Sequence, residues 1–323
     1  MKKSETYSIP QHLQPKQKDF SFSLEEKLSS VLSIKCRIPN DAFTASILGT
    51  EREGYGVMLE TNNLIVTIGY IIAEAESIWI TTSTGEITQG HMVGFDYDTG
   101  FGLIQSLRPL DVPPVKISSV KALNSQNQKF MLTGSGELNN SIECNIIQIK
   151  EFAGYWEYVI EDALYTSPAH PDWGGAALFD CVGDLCGLGS LYIENFDGNK
   201  QGNLCVPTDQ LSPIIPELLK CGRRAGKSRP WIGAFISMIK ERFMVVGVYD
   251  GSPAAYAGLK AGDEIITIEG EKFNNLANLF KKMWSIGPGG VKIPLTICRK
   301  EKETNLIIDS ADRQSVWKTP IIH

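Results

Sequence analysis

The sequence predicts a mainly β protein in two parts, a barrel or sandwich followed by a smaller α+β unit. Three observations carry this. The chain has 323 residues, about two domains at the typical ~150 residues each. From Ile47 to about Leu204, short apolar runs alternate with turn residues at even spacing, and no long helical pattern intervenes. Between 230 and 313, short strands surround one helical stretch. The 30 glycines suit the many tight turns such a chain needs.

Taken in order, residues 1–22 read as a polar arm with Pro10 and Pro15. Ser23, followed three residues later by Glu26, forms a capping box. Leu24, Leu28, Val31 and Leu32 then recur at helical spacing, so an amphipathic helix packed on the main body is expected. Strands are expected at 56–59, 64–67, 77–81, 101–104, 129–132, 143–147, 158–160, 176–179, 185–188 and 203–206, and a helix over 209–219. Residues 220–229 are basic, carry two glycines and read as an exposed linker. The second unit should hold strands at 244–249, 264–269 and 292–298 around a helix at 276–284. The expected boundaries are an arm at 1–46, a first domain at 47–219, the linker at 220–229, a second domain at 230–313 and a tail at 314–323.

Composition limits the chemistry. Lys and Arg number 31 against 37 Asp and Glu, a net charge of −6. That is a poor start for binding nucleic acid, which needs clustered cations. The four histidines, His12, His91, His170 and His323, leave little for metal or acid–base work. The seven cysteines show no repeated spacing. Cys181 and Cys186 lack metal-ligand spacing and a second pair, so neither a metal nor another cofactor is expected. No run reaches the ~18 apolar residues of a membrane span. Met1-Lys2-Lys3 is followed by polar residues rather than an apolar core, so a cytoplasmic location is expected.

Gly251-Ser-Pro-Ala-Ala-Tyr-Ala-Gly-Leu-Lys-Ala-Gly-Asp-Glu-Ile-Ile-Thr-Ile-Glu-Gly270 resembles the centre of a PDZ domain. Upstream, Arg229-Pro-Trp-Ile-Gly-Ala234 is similar to the carboxylate-binding loop of the bacterial, circularly permuted type. Backbone N–H groups around Gly233 can converge on a terminal carboxylate, and glycine permits that approach. The resemblance implies a peptide site made by Trp231, Ile232, Gly233, Ala234, Ile236, Leu276 and Phe280. For any one of the apolar members, plain core packing competes with pocket lining.

A barrel followed by a PDZ domain resembles the HtrA/DegP-like family of trypsin-fold serine proteases, over about residues 47–313. The implied fold is a trypsin-like double β-barrel followed by a small α+β PDZ domain. Gly54-Tyr-Gly-Val57 is similar to the first barrel's Gly-x-Gly-Val, and Gly202-Asn-Leu-Cys-Val-Pro207 to a Gly-x-x-x-x-Pro segment. In that register the family's catalytic positions are degenerate. Tyr70 stands for the histidine, Gly100 for the aspartate and Trp173 for the serine, while Asp96 keeps the first aspartate of its motif. Pro171 stands at an oxyanion-hole position and has no N–H to donate. A triad needs an O or S nucleophile, a base titrating near neutrality and a group that orients it. Trp173, Tyr70 and Gly100 supply none of these.

The expected function is therefore a catalytically inactive, HtrA-like scaffold whose PDZ domain binds peptide or protein C-termini. Two alternatives stay open. One is an active endopeptidase using relocated residues drawn from Ser167, Ser190, His170 and Asp98. The other is a regulatory subunit of an active homologue. The spacing of Ser118 and Lys121 fits a lysine-assisted hydrolase but lacks companion motifs and reads as chance. Trp173 and Tyr70 read as core, as crevice filler or as an aromatic contact surface. Phe20 and Phe22 resemble the family's N-terminal aromatic segment, which implies a homo-trimer.

Overall fold

The computed structural model describes residues 8–60, 63–119, 128–196 and 200–318. Lys121 and the last five residues of the expected tail lie outside them. The chain divides into two compact units, one built from Met1–Lys150, Asp162–Arg224 and Lys318–His323, the other from Glu151–Glu161 and Ala225–Trp317.

The first unit holds two closed six-stranded barrels. The first is made of β1 (Val31–Arg37), β2 (Glu51–Met58), β3 (Leu64–Ile68), β4 (Ser77–Thr81), β5 (Ile87–Phe95) and β6 (Phe101–Ser106), in the order β1-β2-β3-β6-β5-β4. Closure leaves no sheet edge to be covered. Leu32, Ile34, Ile65, Phe101 and Ile104 are sealed from solvent. The second consists of β7 (Phe130–Thr133), β8 (Ser141–Gly154), β9 (Tyr158–Ser167), β10 (Ala177–Phe179), β11 (Leu185–Phe196) and β12 (Lys200–Pro207), in the order β10-β11-β12-β9-β8-β7. Its core gathers Phe130, Leu132, Ile142, Leu164 and Leu178 with the thiols of Cys144, Cys186 and Cys205. Burial pushes the Cys205 thiol up to about 12, so it stays a protonated, inert packing group.

Three sequence expectations are corrected here. The helix after Ser23 ends at Leu28 (α1, Leu24–Leu28), where the Ser29 and Ser30 hydroxyls take up the Glu26 and Lys27 carbonyls. Val31 and Leu32 belong instead to β1, which pairs with both β2 and β4, so the barrel begins well before residue 47. Strand partners outweigh a helical spacing that continues for only one further turn. The 209–219 helix is reduced to a short 3₁₀ turn at Thr208–Gln210 and a helix at Ile215–Cys221, because Pro213 lacks the N–H that a helix interior requires. The basic linker is partly ordered. Gly222 caps that helix at φ +70° and its carbonyl accepts the Phe95 N–H, and Arg224 grips the buried Asp96 through Nε and Nη2 at 3.1 and 2.8 Å.

The arm is also less free than its composition suggests. Ile9 joins the second barrel's core, and its N–H donates to the Asn139 carbonyl at 2.8 Å. Phe20 is buried with its ring 5.4 Å from that of Phe22, and Phe22 packs where a Cβ on Gly183 would lie, at 2.9 Å. Both aromatics thus make contacts within their own chain, and Phe22 stays half-buried.

In the second unit, β14 (Ala234–Ile239), β15 (Arg242–Val248), β16 (Glu264–Ile268), β17 (Lys292–Arg299) and β18 (Lys302–Asp309) form an antiparallel sheet in that order. The short β13 (Pro230–Trp231) pairs with β19 (Ala311–Asp312). A helix at Leu276–Ser285 starts at Asn275, whose side chain accepts the Asn278 N–H, an N-cap. It buries Ala277, Leu279, Phe280 and Met283 against the sheet. The 276–284, 264–269 and 292–298 expectations agree with these elements within two residues. Ser252 caps the short helix Pro253–Tyr256, and Asp263 is held by Arg299 at 2.6 and 2.7 Å and by the Lys260 N–H at 2.8 Å.

Candidate functional site

Two places concern function, one in each unit. In the first unit, a one-turn helix at Gly69–Ile72 follows β3. The Gly69 N–H donates to the Gly100 carbonyl at 2.7 Å. The Tyr70 hydroxyl donates to the Ser190 carbonyl at 3.1 Å, and a Cβ on Gly174 would lie 3.2 Å from that hydroxyl. The Tyr55 N–H donates to the Gly174 carbonyl at 2.8 Å. The structure therefore brings the positions of Tyr70, Gly100 and Trp173-Gly174 to one place.

Their chemistry is poor. Burial pushes the Tyr70 phenol well above its ordinary value, further from a base that works at neutrality. Gly100 sits at φ +85°, a backbone region that L side chains seldom adopt. Trp173 is half-buried with its ring 5.6 Å from that of Tyr192. The retained Asp96 accepts from Thr99 N at 3.1 Å, Thr99 Oγ1 at 2.7 Å and Arg224, so its oxygens serve a turn.

His170 is fully buried. Its Nδ1 accepts the Asp172 N–H at 3.0 Å, which leaves Nε2 as the donor to the Asn140 carbonyl, also at 3.0 Å. Burial lowers its pKa below the ordinary histidine range. A neutral ring with both nitrogens bonded to backbone is a structural histidine. The Ser167 hydroxyl donates to the Gln201 carbonyl at 3.2 Å. Of the residues considered for a relocated dyad, His170 and Ser167 are thus hydrogen-bonded elsewhere.

The second unit holds a more productive arrangement. Gly233, at φ +79°, leaves no room for a side chain: a Cβ there would lie 2.4 Å from Ser252 Cβ. That backbone turns three successive N–H groups, those of Ile232, Gly233 and Ala234, toward one point. At that point lies a carboxylate, that of Glu157. It accepts from Ile232 at 3.1 Å, Gly233 at 2.7 Å and Ala234 at 3.0 Å. Such a nest of backbone donors is an anion site. Glu157 is buried, and burial pushes its carboxyl up to about 7, against the three N–H donors and Arg313, which favour the anion.

Glu157 ends a turn, Tyr155-Trp156-Glu157, between β8 and β9. That turn meets β14, where the Ile236 N–H donates to the Tyr155 carbonyl at 2.8 Å. Lys281, on the Leu276–Ser285 helix, bridges Glu151 and Glu161 at the base of the hairpin, the second at 3.5 Å. Tyr155 lies 5.7 Å from Phe235. Ala153 and Val159 join the apolar cluster that includes Ile232, Ile236, Leu276 and Phe280. Trp231 is buried beside Tyr249, with Arg313 over its ring. Of the sequence-predicted peptide residues, then, Ile232, Gly233, Ala234 and Ile236 meet the hairpin through their N–H groups. Ile236 and Phe280 are otherwise sealed core.

Sequence reasoning missed Glu157. A signal was present in Tyr155-Trp156-Glu157-Tyr158, a turn between strands with no Gly, Pro or Asn. A left-handed Glu157, at φ +61°, is unusual at a place where glycine normally serves.

Comparison with known proteins agrees with this frame. A PDZ domain family model matches residues 230–309. The chain is 23% identical over 265 residues to a probable periplasmic serine protease do/HhoA-like of Haemophilus influenzae, covering 77% of this chain and 56% of that protein. It is 22% identical over 267 residues to the periplasmic serine endoprotease DegP of Escherichia coli K12, covering 79% and 56%. The chain thus spans about half the length of the curated relatives it matches. Among solved structures, an HtrA-type protease AlgW with decapeptide superposes with a TM-score of 0.53 at 18% identity, covering 90% of this chain and 99% of that one. That likeness speaks for the fold. Among the described residues no helix is long and apolar enough to cross a membrane. With a trypsin-like fold and a PDZ domain at 230–309, this chain is a homologue of the HtrA/DegP serine proteases.

Proposed function

We propose that this protein is a catalytically silent HtrA-like scaffold, and that its working site is the carboxylate-binding loop of the PDZ domain. The observation that carries the reading is the convergence of the Ile232, Gly233 and Ala234 N–H groups on a single carboxylate. A loop that satisfies one carboxylate has the geometry to bind the free C-terminus of a peptide, with β14 supplying main-chain hydrogen bonds. Silence is supported by the Tyr70, Gly100 and Trp173 positions and by Pro171. A missing oxyanion donor alone costs about 10²–10³ in rate.

The partners in this reading are peptide or protein C-termini. A homo-trimer or a hetero-assembly with an active homologue rests on the family resemblance alone, and light scattering on the purified chain decides the first. The seven thiols, all free, support a reducing cytoplasm, whereas the relatives named above are called periplasmic; cell fractionation distinguishes the two.

The binding test is a C-terminal peptide array read with free and amidated ends. Ligands should lose affinity on amidation. Equal binding of the two forms overturns carboxylate capture. A serine-directed fluorophosphonate probe with a casein digest tests silence, and labelling that disappears in Ser167→Ala or Ser190→Ala overturns it.

A further inference from the structure

The PDZ groove of this chain is already occupied. The hairpin Glu151–Glu161 lies against the strand and the helix that would receive a peptide, and it does so in a ligand's register. The Tyr155 carbonyl accepts from Ile236 of β14, and two residues later the Glu157 carboxylate fills the loop. An extended peptide ending at that loop would place a backbone carbonyl and its terminal carboxylate on the same donors.

We propose that this hairpin is an internal ligand of the PDZ domain, and that an outside peptide binds by displacing Glu157 from the loop. The proposal rests on the reading of the loop as a carboxylate site and adds its regulation.

The contacts suit a reversible plug. Glu157 is held by polar contacts that an incoming carboxylate replaces one for one. Its left-handed backbone is one that L side chains seldom adopt, strain that is relieved on release. Its burial disfavours the charged form, and this penalty also disappears on release. The charged clamp of Lys281 on Glu151 and Glu161 is partly exposed, and exposed ion pairs contribute little. Against these stand Val159 and Ala153 in the apolar cluster and the high effective concentration of a tethered segment, on the order of millimolar. A site occupied internally lowers the apparent affinity for an outside ligand by the fraction left open.

The test uses the full chain and one probe, the peptide Phe-Ala-Gly-Tyr-Trp-Val with a free carboxylate. It repeats residues 152–156 and places its terminus where Glu157 sits. Binding is measured by fluorescence anisotropy to the wild type and to Glu157→Ala, with the amidated peptide as control. The expected result is at least a tenfold lower Kd in Glu157→Ala, dependent on the free carboxylate. Equal affinity in the two proteins, still dependent on the carboxylate, overturns the internal ligand and leaves the carboxylate site standing. No binding to either protein overturns both. Should Glu157→Ala fail to fold, the wild type decides alone: saturating probe should expose Tyr155 and Trp156 to chymotrypsin, and an unchanged cleavage rate overturns displacement.

Discussion

The Glu157 carboxylate accepts the Gly233 N–H at 2.7 Å, and both residues hold positive φ, +61° and +79°. Glycine adopts this φ freely, whereas Glu157 holds a conformation that L side chains seldom adopt. The loop needs left-handed glycine to aim its donors, and the turn needs a left-handed Glu157 to deliver an acceptor. This pairing has consequences that can be measured.

The first concerns pH. Docked Glu157 titrates at about 7, raised mainly by burial from an ordinary 4.5. The docked form therefore binds more protons than the undocked one between those values. Docking is strongest below pH 4.5, weakens as pH rises through 7 and levels off above it, by up to about 3 kcal/mol. Arg313 and Tyr249 face the same carboxylate, and Arg313 opposes the shift. Protection of the Ile232, Gly233 and Ala234 amides against hydrogen exchange, taken relative to the intrinsic rate at each pH, should fall across this window in the wild type. That protection should not change with pH in Glu157→Gln.

The second concerns Gly233. Replacement by alanine places a methyl 2.4 Å from Ser252 Cβ at a φ of +79°. We expect Gly233→Ala to lose peptide binding entirely and to destabilise the second unit by about 1–3 kcal/mol, read by urea unfolding. Wild-type binding in this variant would show that the N–H groups do not need their present aim.

The third concerns the positions of Tyr70, Gly100 and Trp173. Restoring residue types should not restore activity. The variant Tyr70→His with Gly100→Asp and Trp173→Ser forces an aspartate onto a backbone at φ +85°, and Pro171 still withholds its donor. Casein digestion should stay at background even when Pro171→Gly is added. Gly100→Asp alone should cost about 1–2 kcal/mol. Turnover by the triple variant would mean that the backbone has kept its catalytic form.

The fourth concerns His170 and runs opposite to the first. Burial holds its pKa below the ordinary 6.5, so the folded first unit binds fewer protons than the unfolded chain. Its stability is complete above pH 6.5 and falls as pH drops toward the lowered value. The stability of the first unit, read by urea unfolding, should fall on acidification from pH 7 to 5. In His170→Gln that acid slope should be reduced, with the neutral-pH stability lower.

Apolar spacing and turn residues are local signals, so the division into a β-rich part and a small α+β part is legible from the chain alone. What Tyr70, Gly100, Trp173 and Pro171 lack is equally legible, since a missing nucleophile, base or N–H is a property of residue type. The motif around Gly251–Gly270 and the loop at Gly233 were visible for the same reason. Strand β1 was misread because Val31 and Leu32 continue a helical spacing by chance, and only pairing to β2 and β4 decides between helix and strand. The doubly hydrogen-bonded ring of His170 needed Asn140 and Asp172, which the fold brings to its two nitrogens. Glu157 was invisible because it lies 76 residues from Gly233. A carboxylate on a turn is ordinarily solvated, and only tertiary structure, by removing water and supplying three N–H groups, makes it the acceptor at the Gly233 loop.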